Sequence, residues 1–318
     1  MTHVVSKGLK WIKSTEGKIV EYSVFGSMNA DAKVFVTVYC ALEERCIPEE
    51  QKQAWETLNI REINISIPAI GYSEAQPGQP IAHWPKTCLA PILEAEGVDK
   101  FGVHGNSAGT QFAMAIANEY SPARCMVLGL RAAFVNLPLS KELKFKKGQK
   151  LFHNITDIQR GTLKGHVVKK MWAGMPALYE DYDKDAEAFD KLGNMAQPEM
   201  YKDHKDAAQY ALHMSAKLVT AHYGALTLAL YAAKDTLLDN PIANVDPREL
   251  AKKLPGDRIS VWYCEDDEDV PPEHTKWLAE ECLKAKKIRT VNGYGHEGAC
   301  SLFMSDWYKE MLDLWPED

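Results

Sequence analysis

Strand-like segments alternate with helix-like segments along most of this chain, and this alternation is the feature that most constrains its fold. Residues 33–39 contain VFVTVY, a nearly continuous run of β-branched and aromatic residues that is typical of a strand buried on both faces. A helix-like segment follows at residues 48–58, and isoleucines then alternate with polar residues over 61–67. Strands joined by helices pair in parallel. The pattern therefore predicts an α/β fold with a mostly parallel central sheet and flanking helices.

The alternation covers the first part of the chain and resumes at residue 259. The predicted strands are 18–22, 33–39, 61–67, 100–104, 125–130, 259–263 and 287–291, and the predicted helices are 48–58, 84–96, 108–120, 273–282 and 301–315. A length of 318 residues is sufficient for one large α/β domain that carries an insertion.

One block interrupts the alternation. We find no convincing strand pattern at residues 139–235, and this block holds five of the eleven Met and six of the thirteen Tyr residues. We therefore predict a core made of residues 1–138 and 236–318, with a helical cap or lid at residues 139–235. Met and Tyr side chains suit an apolar lining that adapts to a ligand, although a plain helical core has the same composition.

Charge and hydropathy exclude some classes of function. The net charge of −7 argues against a nucleic-acid surface, which needs an excess of basic residues. No apolar stretch approaches the roughly 20 residues that span a bilayer, and the first residues lack the apolar core of a signal peptide. We therefore expect no nucleic-acid partner and no membrane span, whereas the charge decides nothing about small-molecule substrates. The sequence leaves a homodimer open.

Cysteine usage indicates the compartment. Seven cysteines are scattered without paired spacing, and an odd number fits a reducing compartment better than a disulfide framework. We therefore expect a cytoplasmic protein. CxxC and HExxH spacings are absent from the sequence, so we expect neither a metal nor a cofactor.

The sequence GNSAG at residues 105–109 carries the strongest chemical signal. It follows a short strand pattern and precedes a helix rich in small residues. A serine at such a turn is held in a strained backbone conformation, so its neighbours must be small and its hydroxyl is lifted above the sheet. The N–H groups at the start of the helix lie beside it, where they can stabilise an oxyanion. These features make Ser107 the candidate nucleophile.

A serine hydroxyl needs a general base and a carboxylate that orients that base. Among ten histidines, His296 lies in the glycine-rich sequence GYGHEG just past the strand at 287–291, where it can reach the same crevice as Ser107. The acidic sequence CEDDEDVPP at residues 264–272 directly follows the strand at 259–263. Any one of its carboxylates could serve, and the order Ser, acid, His suits this type of sheet.

Together these motifs resemble the α/β-hydrolase superfamily, in particular its cap-bearing esterase, lactonase and C–C hydrolase branch. PAIGYS at residues 68–73 is similar to the family's PGxGxS turn, GNSAG to its nucleophile elbow, CEDDEDVPPEH to its GxxDxxVP acid loop and GYGHEG to its terminal GxGH. The resemblance covers nearly the whole chain. Aligned on Val270 and Pro271, it implies that Asp267 is the acid.

The resemblance also implies an oxyanion hole formed by the backbone N–H groups of Ala108 and Ala41. The sequence departs from the family's pattern in two places. Tyr39 and Cys40 stand where the family usually has His-Gly, and Cys264 replaces the glycine that opens the acid loop. Serine as nucleophile argues against epoxide hydrolases and haloalkane dehalogenases, which use Asp at that position.

Three functions fit these residues. The first is hydrolysis of a carboxylic ester or lactone of an apolar small molecule through an acyl-enzyme on Ser107. The second is a ligand receptor that keeps the triad without hydrolysis, which Tyr39-Cys40 favours. The third is acyl transfer or C–C bond cleavage on the same fold, since fold alone does not decide function.

Overall fold

The computed structural model describes residues 9–38, 49–67, 73, 81–107, 109–133, 245–267, 270–296 and 302–317. Their strands form one sheet in the order β1-β2-β4-β3-β5-β6-β7-β8. The strands are β1 Leu9–Lys13, β2 Ile19–Gly26, β3 Lys33–Val38, β4 Ile60–Ile65, β5 Phe101–Asn106, β6 Cys125–Arg131, β7 Ile259–Tyr263 and β8 Lys287–Thr290. The pairs β1·β2 and β2·β4 are antiparallel, and the other pairs are parallel.

Helices cover both faces of this sheet. They are α1 Glu49–Thr57, α2 Ala90–Ala95, α3 Gly109–Tyr120, α4 Pro247–Lys253, α5 Pro272–Trp277 and α6 Met304–Asp313, with short 3₁₀ or π-type segments at Ile81–His83, Pro85–Leu89, Gly256–Arg258 and Leu278–Cys282. Every residue of β5, β6 and β7 is buried, as expected for parallel strands covered on both sides.

The two sides of the sheet pack differently. The side of α2, α3 and α4 is mainly aliphatic, with members such as Ile92, Ile116 and Leu250. We call it the aliphatic layer. The side of α1 and α6 is dominated by large rings, and we call it the aromatic layer. Its ring residues are Phe35, Trp55, Trp262, Trp307 and Tyr308.

The helix predicted at residues 84–96 is divided into the π-type segment Pro85–Leu89 and α2. Pro91 causes this break, because it has no N–H to donate to the carbonyl of Thr87 one turn earlier. That carbonyl instead accepts a hydrogen bond from the N–H of Thr15 at 2.9 Å. The interrupted helix is thereby tied to the turn between β1 and β2.

One strand and one α-helix were not predicted. The edge strand β1 has the sequence LKWIK, and its Trp11 is 65% exposed, so β1 lacks the buried face that produces a recognisable alternation. The short helix α4 begins at the N-cap Asp246, whose carboxylate accepts the N–H of Arg248 at 2.9 Å.

The predicted cap, residues 139–235, lies outside the described residues. No described helix has the length and hydropathy of a membrane span.

Candidate active site

Three loops meet at the carboxyl edge of the sheet, because β5, β7 and β8 run parallel and therefore end on the same side. Ser107 follows β5 directly, Asp267 lies four residues after the end of β7, and His296 lies six residues after the end of β8. The topology thus brings together three residues that are far apart in the chain.

The turn that carries Ser107 is strained and tightly packed. Ser107 has φ +46°, a left-handed conformation that is costly for a residue with a Cβ. Its N–H donates to the carbonyl of Arg131 on β6 at 2.9 Å, and its carbonyl accepts the N–H of Thr110 at 3.0 Å. A Cβ on Gly105 would lie 2.6 Å from the Cβ of Ala113, so only glycine lets α3 approach the strand this closely.

Hydrogen bonds connect the three side chains in one line. Nε2 of His296 lies 3.0 Å from Oγ of Ser107, and Nδ1 of His296 lies 2.8 Å from Oδ2 of Asp267. Because a carboxylate only accepts, Nδ1 carries the proton and donates to Asp267. Nε2 is then free of a proton and accepts the Ser107 hydroxyl. This arrangement allows His296 to take the proton from Ser107 when the hydroxyl attacks.

The orientation of Asp267 is fixed by its own loop. Its second oxygen, Oδ1, accepts the backbone N–H of Val270 at 2.7 Å. The side chains of Asp267 and His296 are 2% and 12% exposed, so the carboxylate is shielded from water while the imidazole remains reachable from the crevice. The register of the acid loop against Val270 therefore agrees with the hydrogen bonds.

The loop after β7 that carries Asp267, the acid loop, and the loop after β8 that carries His296, the histidine loop, are also joined directly. Oδ1 and Oδ2 of Asp266 accept the backbone N–H groups of Gly293 and Gly295 at 3.2 and 3.3 Å. The buried thiol of Cys264 donates to the carbonyl of Val291. Cys264 thus makes a contact that a glycine at this position could not make. The contacts of Asp266 were not predicted, because its partners are backbone groups and leave no pattern of side chains in the sequence.

Ser73, the last residue of the first motif, is buried beside the sheet. Its hydroxyl donates to the carbonyl of Ser66 at 3.0 Å and accepts the N–H of Glu21 at 2.9 Å. It therefore ties the segment after β4 to β2.

The predicted oxyanion donors Ala108 and Ala41 lie outside the described residues, as does Asp269.

His104 is next to the turn in sequence but does not face the crevice. It is fully buried on the side of the aromatic layer, and the centroid of its ring lies 5.1 Å from that of Trp307. Burial, together with the nearby Arg131 guanidinium, lowers the pKa of His104 from 6.5 to about 3, although a hydrogen bond to Asn106 opposes this shift. His104 therefore stays neutral and donates from Nε2 to Oδ1 of Asn106 at 2.6 Å.

Within the described ranges, no group of three or more His, Cys, Asp or Glu side chains is arranged to hold a metal ion. The side chains of Cys88, Cys125, Cys264 and Cys282 are buried. Burial raises the pKa of Cys125 and of Cys264 to about 12, which keeps both thiols protonated. In Cys264 the neighbouring Asp266 carboxylate acts in the same direction as burial.

Comparison with solved structures identifies the fold. The chain is similar to the esterase RhEst1 from Rhodococcus sp. ECU1013, with a TM-score of 0.61 and 19% identity over 96% of this chain and 99% of that one. It is also similar to a meta-cleavage product hydrolase from Pseudomonas fluorescens IP01, with a TM-score of 0.56 and 15% identity over 96% of both chains.

A third similar structure is 2-hydroxy-6-oxo-6-phenylhexa-2,4-dienoate hydrolase from Rhodococcus sp. strain RHA1, with a TM-score of 0.58 and 13% identity over 96% of this chain and 98% of that one. No protein-family model and no curated protein sequence matches the chain. The structural similarity spans nearly the whole chain, and the predicted α/β-hydrolase fold is confirmed.

Proposed function

We propose that this chain, which has the α/β-hydrolase fold, is a serine hydrolase that cleaves a carboxylic ester or lactone of an apolar small molecule. The observation that carries this proposal is the line of hydrogen bonds from Asp267 through His296 to Ser107. A nucleophile, a base and an orienting acid within hydrogen-bond reach form the arrangement that activates a serine hydroxyl.

The proposed first half-reaction forms an acyl-enzyme. Oγ of Ser107 attacks the carbonyl carbon of the substrate while Nε2 of His296 takes the hydroxyl proton. The imidazolium is stabilised by the carboxylate of Asp267. His296 then gives the proton to the leaving alkoxide, and the C–O bond of the ester breaks.

The proposed second half-reaction returns the enzyme to its starting state. His296 takes a proton from water, and the hydroxide attacks the acyl carbon. The proton passes to Oγ of Ser107 as the acid product leaves. In both halves the oxyanion would be held by N–H groups, and the resemblance in sequence places these on Ala108 and Ala41. The preference for an apolar substrate rests on the Met and Tyr content of residues 139–235.

C–C bond hydrolysis is a second candidate, since two of the similar structures bear the names of a meta-cleavage product hydrolase and a dienoate hydrolase. Such a reaction would use the same three side chains on a vinylogous ketone. The identities of 15% and 13% to these structures give the fold and leave the substrate open.

The purified protein should be assayed on p-nitrophenyl acetate, butyrate and octanoate, on γ- and δ-lactones, and on a 2-hydroxy-6-oxodienoate. We expect saturable ester hydrolysis with a burst of p-nitrophenol equal to the enzyme concentration, because an acyl-enzyme accumulates. Turnover of the dienoate alone would favour C–C hydrolysis. Ligand binding without product on every substrate would indicate a receptor and contradict the proposal.

A further inference from the structure

The carboxylate of Asp266 holds both ends of the turn that delivers His296. Its two oxygens accept the N–H groups of Gly293 and Gly295, which lie on either side of Tyr294. His296 is the next residue. One side chain of the acid loop therefore fixes the backbone that immediately precedes the imidazole.

This turn needs such an anchor because of its glycines. Gly293 and Gly295 have φ +83° and +59°, and a Cβ on Gly293 would meet nothing within 4 Å. Glycines in open space have many accessible backbone conformations, so packing alone does not select the one that is observed. Two hydrogen bonds to a single rigid carboxylate do select it.

Asp266 takes part in a series of hydrogen bonds that join the two loops after β7 and β8. The N–H of Val291 donates to the carbonyl of Tyr263 at 2.8 Å, and the thiol of Cys264 donates to the carbonyl of Val291. Asp266 makes the last contacts of this series, directly before Asp267 and His296. The acid loop and the histidine loop are thereby held as one unit.

The ionisation of Asp266 suits this role. Burial by itself would raise the pKa of this carboxyl, but the backbone N–H groups of Asp266, Gly293 and Gly295 outweigh it and hold the pKa below its ordinary value. The side chain is thus a carboxylate with both oxygens available as acceptors at neutral pH.

We propose that Asp266 is a positioning residue: its carboxylate fixes the Gly293–Gly295 turn and so holds the imidazole of His296 in line between Asp267 and Ser107. The proposal rests on the proposed function of these three residues. Asp266 contacts the backbone N–H groups of this turn and the Cys264 side chain, so it acts through His296 and does not touch the reacting atoms. A misplacement of the base by about 1 Å can cost roughly 100-fold in rate.

The test compares Asp266→Asn with the matched control Glu265→Gln. Both variants remove one exposed negative charge from the same loop. Asn at 266 has one accepting oxygen and therefore loses one of the two hydrogen bonds, whereas Gln at 265 keeps the backbone N–H that faces Oδ1 of Asn292 at 3.4 Å. Asp266→Glu restores the carboxylate on a longer side chain.

On p-nitrophenyl butyrate we expect Asp266→Asn to lower kcat by about 10- to 100-fold, with KM within about twofold of the wild type. The melting temperature should equal that of Glu265→Gln, because the removed groups are at the surface. Asp266→Glu should recover part of the lost kcat. Equal kcat in Asp266→Asn and Glu265→Gln, or a loss of kcat that follows a loss of melting temperature, would overturn the proposal.

A proton NMR measurement separates failure of this proposal from failure of the proposed function. The Nδ1 proton of His296, hydrogen-bonded to Asp267, should give a strongly downfield signal in the wild type and in Glu265→Gln, without any substrate. We expect Asp266→Asn to weaken or broaden this signal. An unchanged signal overturns the positioning role, whatever the wild type hydrolyses. If the signal changes in Asp266→Asn but the wild type cleaves no substrate, only the proposed hydrolase function is contradicted.

Discussion

The carboxyl edge of the sheet and the aromatic layer both bury polar side chains, but they use them differently. In the aromatic layer, the buried carboxylate of Glu62 accepts hydrogen bonds from Nε1 of Trp55 at 2.9 Å and from the hydroxyl of Tyr308. Trp262 donates from Nε1 to Glu310 at 3.0 Å. These groups link α1, the sheet and α6.

At the carboxyl edge, the line of hydrogen bonds ends on a group that is open to the crevice. Asp267 is held by Val270 and His296, whereas Ser107 is a half-buried residue with φ +46°. The comparison teaches that the first region uses its polar groups for packing and the second keeps one reactive group strained and accessible. Variants in the two regions should therefore fail in different ways.

The largest effect is expected from Ser107→Ala. It should lower kcat for ester hydrolysis by about 10⁶, the loss typical of a removed nucleophile. The free energy of unfolding in urea should stay at the wild-type value or rise, because little packing is lost. Kinetics and urea unfolding on the same preparation check both parts. Activity near the wild type would show that the nucleophile lies elsewhere.

The next effect is expected from Asp267→Asn. The amide can donate to Nδ1 of His296 and so favour the wrong tautomer, which should lower kcat by roughly 10⁴. Asp266→Asn and Asp269→Asn, assayed beside it, should be less damaged. If either of them is worse than Asp267→Asn, the assignment of the acid is wrong.

In the aromatic layer, Trp307→Ala should lower the free energy of unfolding and leave kcat nearly unchanged. Trp307 is fully buried against the rings of His104 and Trp262, and its ring lies where a Cβ on Gly129 would be. Its removal should cost about 3–5 kcal/mol of the free energy of unfolding, from lost burial and the remaining cavity. Trp11→Ala, on the exposed strand β1, is the matched control and should cost within about 0.5 kcal/mol.

The folded fraction of the Trp307→Ala variant should have a kcat close to that of the wild type. We would measure kcat at a temperature where urea unfolding shows the variant to be folded. A fall of kcat by several orders of magnitude under those conditions would mean that the aromatic layer serves the chemistry directly, and the comparison would fail.

A smaller loss of stability is expected from Tyr308→Phe. Burial, reinforced by the neighbouring Glu62 carboxylate, raises the pKa of Tyr308 well above its ordinary value, so the phenol stays protonated and donates to Glu62. Removing the hydroxyl leaves a buried acceptor with one donor fewer, at a cost of about 1–3 kcal/mol. Tyr294→Phe, on an exposed ring, should leave the unfolding free energy unchanged. Equal effects of the two variants would indicate that the Tyr308 hydroxyl does not stabilise the fold.

The sequence allowed the fold class and the three site residues to be predicted because each left a local signal. Ser107 lies between small residues, His296 lies among glycines, and Asp267 is in register with Val270-Pro271. These short motifs fall at strand ends, and a parallel sheet brings strand ends together. The hydrogen bonds place the three side chains in line, while their roles in catalysis stay predictions.

Other features left no such signal. Asp266 contacts backbone N–H groups, which every residue except proline carries. The sequence therefore did not distinguish Asp266 from the four other carboxylates of the acid loop. In the strand β1, none of residues 10–13 is fully buried. The burial of His104 against Trp307 depends on α6, which lies about two hundred residues away in the chain.

The most direct test of the central claim is labelling with a fluorophosphonate, followed by peptide mass spectrometry. Such a probe reacts with a serine only where a base activates its hydroxyl. We expect one adduct per chain on Ser107, none on that peptide in Ser107→Ala, and labelling slowed by roughly 10⁴ in Asp267→Asn. A folded wild-type protein that takes no adduct, or takes it on another residue at the same rate in all three proteins, would contradict the account.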